Sequence, residues 1–157
     1  MTGPVLVLVE TDDQGAIEVS QETLTFARGL GGDLHAVVVG DGPAGLLEQL
    51  GSYGVATVHH ADGEAFTAYA AAAWAAAVVA AAGDASVVMA AGTPRGNEVM
   101  AHVAVRLGVG MAANVVAVDS TDPLVVSRQV LGGAAMEELP LPDAVAVLTV
   151  AGHACEA

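Results

Sequence analysis

The sequence predicts a doubly wound α/β domain, and three observations carry that prediction. Continuous apolar runs such as Val5-Leu6-Val7-Leu8-Val9 and Val87-Val88-Met89-Ala90-Ala91 have the character of parallel strands buried on both faces. Segments with helical periodicity separate such runs, so strand and helix alternate through the first two thirds of the chain. The composition of the 157 residues, 54% hydrophobic but only 3% aromatic, supplies one domain with a core built from Ala, Val and Leu.

The elements follow in order. After the strand Val5–Val9, Glu10 to Gly15 reads as a polar turn and Ala16 to Val19 as a short extended connection. Ser20 has the chemistry of a helix N-cap, with Val19 and Leu24 spaced as a hydrophobic staple. The helix that follows carries Leu24, Ala27 and Leu30 on one face and is expected to stop at Gly31-Gly32. A strand over Leu34 to Val39, a turn over Gly40 to Pro43, a helix around Ala44 to Leu50 and a strand over Val55 to His59 come next.

Ala65 to Ala82 is 18 residues without a charge, the length of a short membrane span. Alanine methyls drive insertion weakly, and the flanks are Glu64 and Asp84 rather than Lys or Arg. Since alanine is the best helix former, the segment is expected to be a helix packed on the sheet and not inserted in a membrane. Phe66, Tyr69 and Trp74 are read as its core side chains, with an exposed partner-facing stripe as the alternative.

Strand Ser86 to Ala91 then leads through Gly92-Thr93-Pro94-Arg95-Gly96-Asn97 into a helix ending near Leu107. Beyond it the alternation lapses: Ala112 to Val118, Pro123 to Leu131 and Ala144 to Val150 read as strands with no helices between them. They are expected to form an antiparallel addition, turning at Gly132-Gly133.

Charge narrows the function. Four arginines (Arg28, Arg95, Arg106, Arg128), no lysine and 18 acidic residues give a net charge of −14. Phosphate backbones and anionic membranes are bound through Lys and Arg, so neither nucleic acid nor a membrane surface is an expected partner. The N-terminus has no basic lead or cleavage signature, which with the single cysteine, Cys155, points to a cytoplasmic protein. Cys155 itself reads as a free tail thiol.

No nucleophile motif or catalytic constellation is present. Adjacent strand residues face opposite ways, so His59 and His60 are not expected to share a metal, and no metal site is expected elsewhere. Glu10, Asp12 and Asp13 cluster at the end of the first strand; they could hold a divalent ion or form a solvated acidic turn.

The remaining candidate is the loop Gly92, Thr93, Arg95, Gly96 and Asn97. Thr93 can cap a helix with Pro94 at its first position, or Asn97 can cap one a turn later. Either way, backbone N–H groups and a positive helix end stand beside Arg95, as in an anion or nucleotide loop. The other reading is a tight packing turn with Arg95 paired to a carboxylate. The loop lacks the Lys-Ser/Thr of a P-loop and the G-x-G-x-x-G spacing.

Taken in order, V-L-V-L-V-E, V-S-Q-E-T-L-T-F-A-R-G-L, Y-G-V-A-T-V-H-H, A-A-G-T-P-R-G-N-E-V-M-A-H-V-A-V-R-L-G and S-R-Q-V-L-G-G-A-A resemble the N-terminal domain of the electron transfer flavoprotein α subunit over nearly the whole chain. The resemblance implies a Rossmann-like fold of the adenine-nucleotide α-hydrolase type over residues 1–150. It also implies a short tail, 151–157, where a linker to an FAD domain would start.

By the same resemblance, the domain has no catalysis of its own and docks a β subunit. The resulting heterodimer takes electrons from dehydrogenases to a quinone reductase or other acceptors. FAD is expected in the C-terminal α domain, whose motifs are not in this chain, and Arg128 is a possible interface residue. Relatives often end this domain T-V-R-P, where this chain has Thr149-Val150-Ala151-Gly152-His153. An alternative with the same broad fold is a small adenine-nucleotide-binding regulator of the universal-stress-protein type, although that family's G-x-x-G-x9-G-S/T pattern is not found.

Overall fold

The computed structural model describes residues 3–157. In chain order its main elements are β1 (Val5–Val9), α1 (Glu18–Arg28), β2 (Leu34–Val39), α2 (Leu46–Ser52), β3 (Val55–Ala61), α3 (Ala71–Ala82) and β4 (Val87–Ala91). These are followed by α4 (Pro94–Leu107), β5 (Met111–Thr121), β6 (Leu124–Val130), β7 (Ala135–Pro140) and β8 (Ala146–Val150). They build one eight-stranded sheet in the order β3-β2-β1-β4-β8-β5-β6-β7.

Alternation of side chains along the strands divides the core into two layers. Val5, Val7 and Val9 pack with Leu24 and Ala27 of α1 and Leu46 and Leu50 of α2. Leu6 and Leu8 pack on the other face with Trp74 and Val78 of α3 and Val99 and Val103 of α4. All five β1 side chains are buried, as a continuous apolar run between two helical layers requires. The predicted α/β architecture, with helices on both faces and antiparallel strands near the C-terminus, is the observed one.

Several local expectations are corrected. Helix α1 starts at Glu18 with Ile17 at the N-cap and no side-chain cap. Ser20 is fully buried inside the helix because its hydroxyl accepts the Glu10 N–H at 3.0 Å, so it cannot serve as a cap. The alanine helix begins at Ala71, not Ala65: Glu64–Phe66 forms a short 3-10 turn, and Ala70 is extended. Trp74 is core at 8% exposure, but Tyr69 is 38% exposed and belongs to the surface beside α4. Among the described residues no helix is long and apolar enough to cross a membrane.

The last strand departs most from expectation. Strand β8 lies between β4 and β5, parallel to both, rather than in an antiparallel addition. The antiparallel pairings are β5 with β6 and β6 with β7, so β6 alone runs against the other strands, and β7 is an edge strand that the sequence reading did not anticipate. Strand β5 changes register between Ala112 and Val115, where Asn114 has φ 60°. Leu124, Val126 and Leu141 of this antiparallel arm then join Val115, Leu148 and Val150 in the α1-side core layer. Bonds from Leu141 N to Leu124 O and from Ala146 N to Ser86 O return the chain to the starting edge of the sheet, so β8 enters in parallel.

In the tail, His153 and Cys155 contact Glu22 of α1. Glu22, 3% exposed, accepts the His153 N–H at 2.8 Å and pairs with His153 Nδ1 at 3.1 Å. Cys155 is a free thiol, as expected, and it donates to the Glu22 carbonyl at 3.0 Å. Burial, then the nearby Glu22 carboxylate, push its pKa up.

Candidate functional site

Strand order reverses between β1 and β4: from β1 the chain builds β2 and β3 on one side, then returns to place β4 on the other. Loops leaving the carboxyl ends of two such strands part to opposite faces and open the crevice where this architecture places ligands. Here the crevice is formed by Glu10 after β1 and Gly92 to Asn97 after β4.

The sequence builds the second loop closely. Thr93 is the N-cap of α4, its hydroxyl oxygen accepting the Gly96 N–H at 2.8 Å, and Pro94 occupies the first helical position where no N–H is needed. Of the two capping schemes, this is the one adopted. Gly96 is required by space: a Cβ there would stand 2.0 Å from the Ala91 carbonyl oxygen. At Gly92 a Cβ would meet Val150 O at 2.9 Å, because the Gly92 N–H donates to that carbonyl at 2.7 Å.

Asn97 is a cross-link rather than a cap. Its amide donates to Gly92 O at 3.3 Å, and its oxygen accepts the Thr149 hydroxyl at 2.7 Å. Thr149, fully buried in β8, in turn accepts the Asn114 N–H at 3.0 Å. Neither Thr149 nor Asn114 was singled out from the sequence, since only the insertion of β8 beside β4 brings them to the loop.

The acidic trio separates. The Thr93 hydroxyl donates to Glu10, placing that carboxylate at the positive end of α4. Asp12 turns to its own loop, accepting the Gln14 and Gly15 N–H groups at 2.8 and 3.2 Å, while Asp13 is exposed. No group of three or more His, Cys, Asp or Glu side chains converges as a metal ligand set among the described residues.

Arg95 does not extend into the crevice. Its guanidinium lies over the Tyr69 ring at 4.4 Å and near the Trp74 ring at 5.1 Å, and those rings meet edge to face at 5.3 Å. The Tyr69 hydroxyl donates to Glu98 at 2.6 Å. Partial burial, then the hydrogen bond and charge of Glu98, raise the Tyr69 pKa to about 12.

Arg128 lies elsewhere, on β6, and pairs with its cross-strand neighbour Glu137 on β7 at 2.6 Å. A separate pocket of about 650 Å³ at the ends of β2 and β3 is bounded by Pro43, Leu46, Leu47, Glu48, Val58 and His60.

A mostly parallel sheet with helices on both faces and a switch point between β1 and β4 defines a Rossmann-like α/β domain. The profile of the electron transfer flavoprotein domain matches residues 5–157, and the chain belongs to that family. Among its relatives, the electron transfer flavoprotein subunit alpha of Mycobacterium leprae is 34% identical over 97% of this chain and 48% of its own length. The subunit alpha of Mycobacterium tuberculosis is 33% identical over 98% and 48%, and that of Pseudomonas aeruginosa 28% identical over 93% and 47%. The chain thus spans about half the length of these curated relatives, and the resemblance to the α-subunit N-terminal domain holds.

Proposed function

We propose that this domain is a structural and β-subunit-docking module of a heterodimeric, FAD-containing electron carrier serving dehydrogenases and a quinone acceptor, working in the cytoplasm without catalysis of its own. The family match across residues 5–157 is the observation that carries this reading. The crevice chemistry supports it, because the groups able to recognise a ligand are engaged with one another.

FAD does not fit this crevice. A pyrophosphate at the start of α4 would meet the Glu10 carboxylate, and the nearby Arg95 is stacked on Tyr69 and Trp74. As the family resemblance implies, the flavin would instead be held in the half of the α subunit that this chain does not span. Arg128 is proposed as a docking residue on the antiparallel arm.

Purified alone, the chain is expected to show no flavin absorption and to co-elute with a cognate β subunit. A stoichiometric flavin spectrum would overturn the cofactor assignment, and failure to associate would overturn docking. Calorimetry with ATP and AMP tests the nucleotide-regulator alternative, which the Glu10 carboxylate opposes; micromolar binding, about −8 kcal/mol, would favour it.

A further inference from the structure

His35 on β2 and His59 on β3 share the face of the sheet covered by α3. Val37, two residues after His35, belongs to the α3-side core layer and is the register partner of His59. His35 Nδ1 and His59 Nε2 approach to 3.4 Å, with ring centroids 5.5 Å apart. His60 is separate, its Nε2 lying 2.8 Å from Gly40 O. The sequence argument against a shared metal concerned His59 and His60; parallel pairing of two strands distant in sequence makes a different pair.

Three features point to a cation between these rings. The separation is beyond the usual 2.7–3.2 Å of a hydrogen bond to nitrogen. It matches the span of about 3.4 Å between two nitrogens each about 2.0–2.1 Å from a tetrahedral zinc ion. On the side of His59 away from His35, a pocket of about 330 Å³ is lined by His60, Phe66 and the small residues Ala77, Ala80 and Ala81 of the C-terminal half of α3. The last turn of a helix carries its negative dipole end, which favours a positive charge there, as does the chain's net charge of −14.

We propose that His35 and His59 form a two-imidazole site for a borderline divalent transition-metal ion such as Zn²⁺, with water completing the coordination. With only two protein ligands, binding is expected to be far weaker than at a four-ligand structural site. Bound metal ties β3, an edge strand with no fully buried residue, to β2.

Calorimetric titration of the whole chain with zinc chloride at neutral pH tests the site. One equivalent is expected to bind, weakened at least about tenfold in both His35→Ala and His59→Ala. His60→Ala, His153→Ala and Cys155→Ser are expected to bind as the parent does. His59→Gln, which keeps a polar side chain at the sheet edge, provides a second variant, and circular dichroism checks that each is folded. A zinc-dependent rise in Tm should disappear in the same His35 and His59 variants. Lack of saturable binding up to about 100 µM zinc, or binding that survives both single substitutions, would overturn the proposal and leave the pair as a long hydrogen bond.

Discussion

The Thr149 hydroxyl donates to Asn97 Oδ1 at 2.7 Å, joining the inserted strand β8 to the first turn of α4. Because Thr149 also accepts the Asn114 N–H, one buried oxygen holds β5, β8 and α4 in register. Thr149→Val retains the shape but orphans both partners, and leaving buried polar groups unpaired costs about 1–3 kcal/mol. Urea denaturation should show the lower midpoint with an unchanged slope. A variant as stable as the parent would show that the network contributes packing alone.

Gly96 and Gly51 make a controlled pair, since both are helical and differ in what a methyl group would meet. At Gly96 it would collide with the Ala91 carbonyl, while at Gly51 nothing lies within 4 Å. Gly96→Ala is expected to destabilise by about 1–3 kcal/mol or more, as overpacking against backbone does. Gly51→Ala should stabilise by about 0.4–1 kcal/mol through lost unfolded-state entropy. Thermal unfolding of the two variants side by side checks the opposite signs.

How much of this was legible in the sequence follows from the range of the interactions. Val5–Val9 and Val87–Ala91 were readable because burial on both faces leaves a continuous apolar run. Ala146–Val150 carries the same fully buried signature, yet its place beside β4 depends on partners far away in sequence. Strand β7 was hidden by Glu137 and Glu138, charged residues of the kind that protect an exposed sheet edge. In the candidate site, Thr93 and its Gly/Pro surroundings were visible as a cap. The Ser20 pattern looked equally good, but its hydroxyl is taken by Glu10 N, a tertiary contact that local spacing does not contain.

Tyr69 should ionise late. Its pKa moves from 10.0 to about 12 because burial and Glu98 oppose a second negative charge. A raised folded-state pKa means the folded chain binds the proton more tightly. This contribution to stability is present below pH 10 and is lost as pH rises towards about 12. Ultraviolet titration of tyrosinate should show one late-ionising group that Tyr69→Phe removes and Glu98→Gln shifts down. A parent titration in which Tyr69 ionises near the ordinary value would contradict the Tyr69–Glu98 contact.

Arg128 allows hairpin stability and docking to be separated. Arg128→Glu places like charges opposite one another on β6 and β7, and cross-strand pairs of this kind are worth about 0.2–1 kcal/mol. A small fall in Tm is therefore expected whether or not Arg128 meets a partner. Exchanging the charges, Arg128→Glu with Glu137→Arg, restores the pair in reverse and should recover that stability. If Arg128 docks the β subunit, association remains weakened in the exchanged protein, because a carboxylate still stands where the guanidinium was. Recovery of both stability and affinity would mean that Arg128 serves only the hairpin, and docking would then have to be sought on another face of the domain.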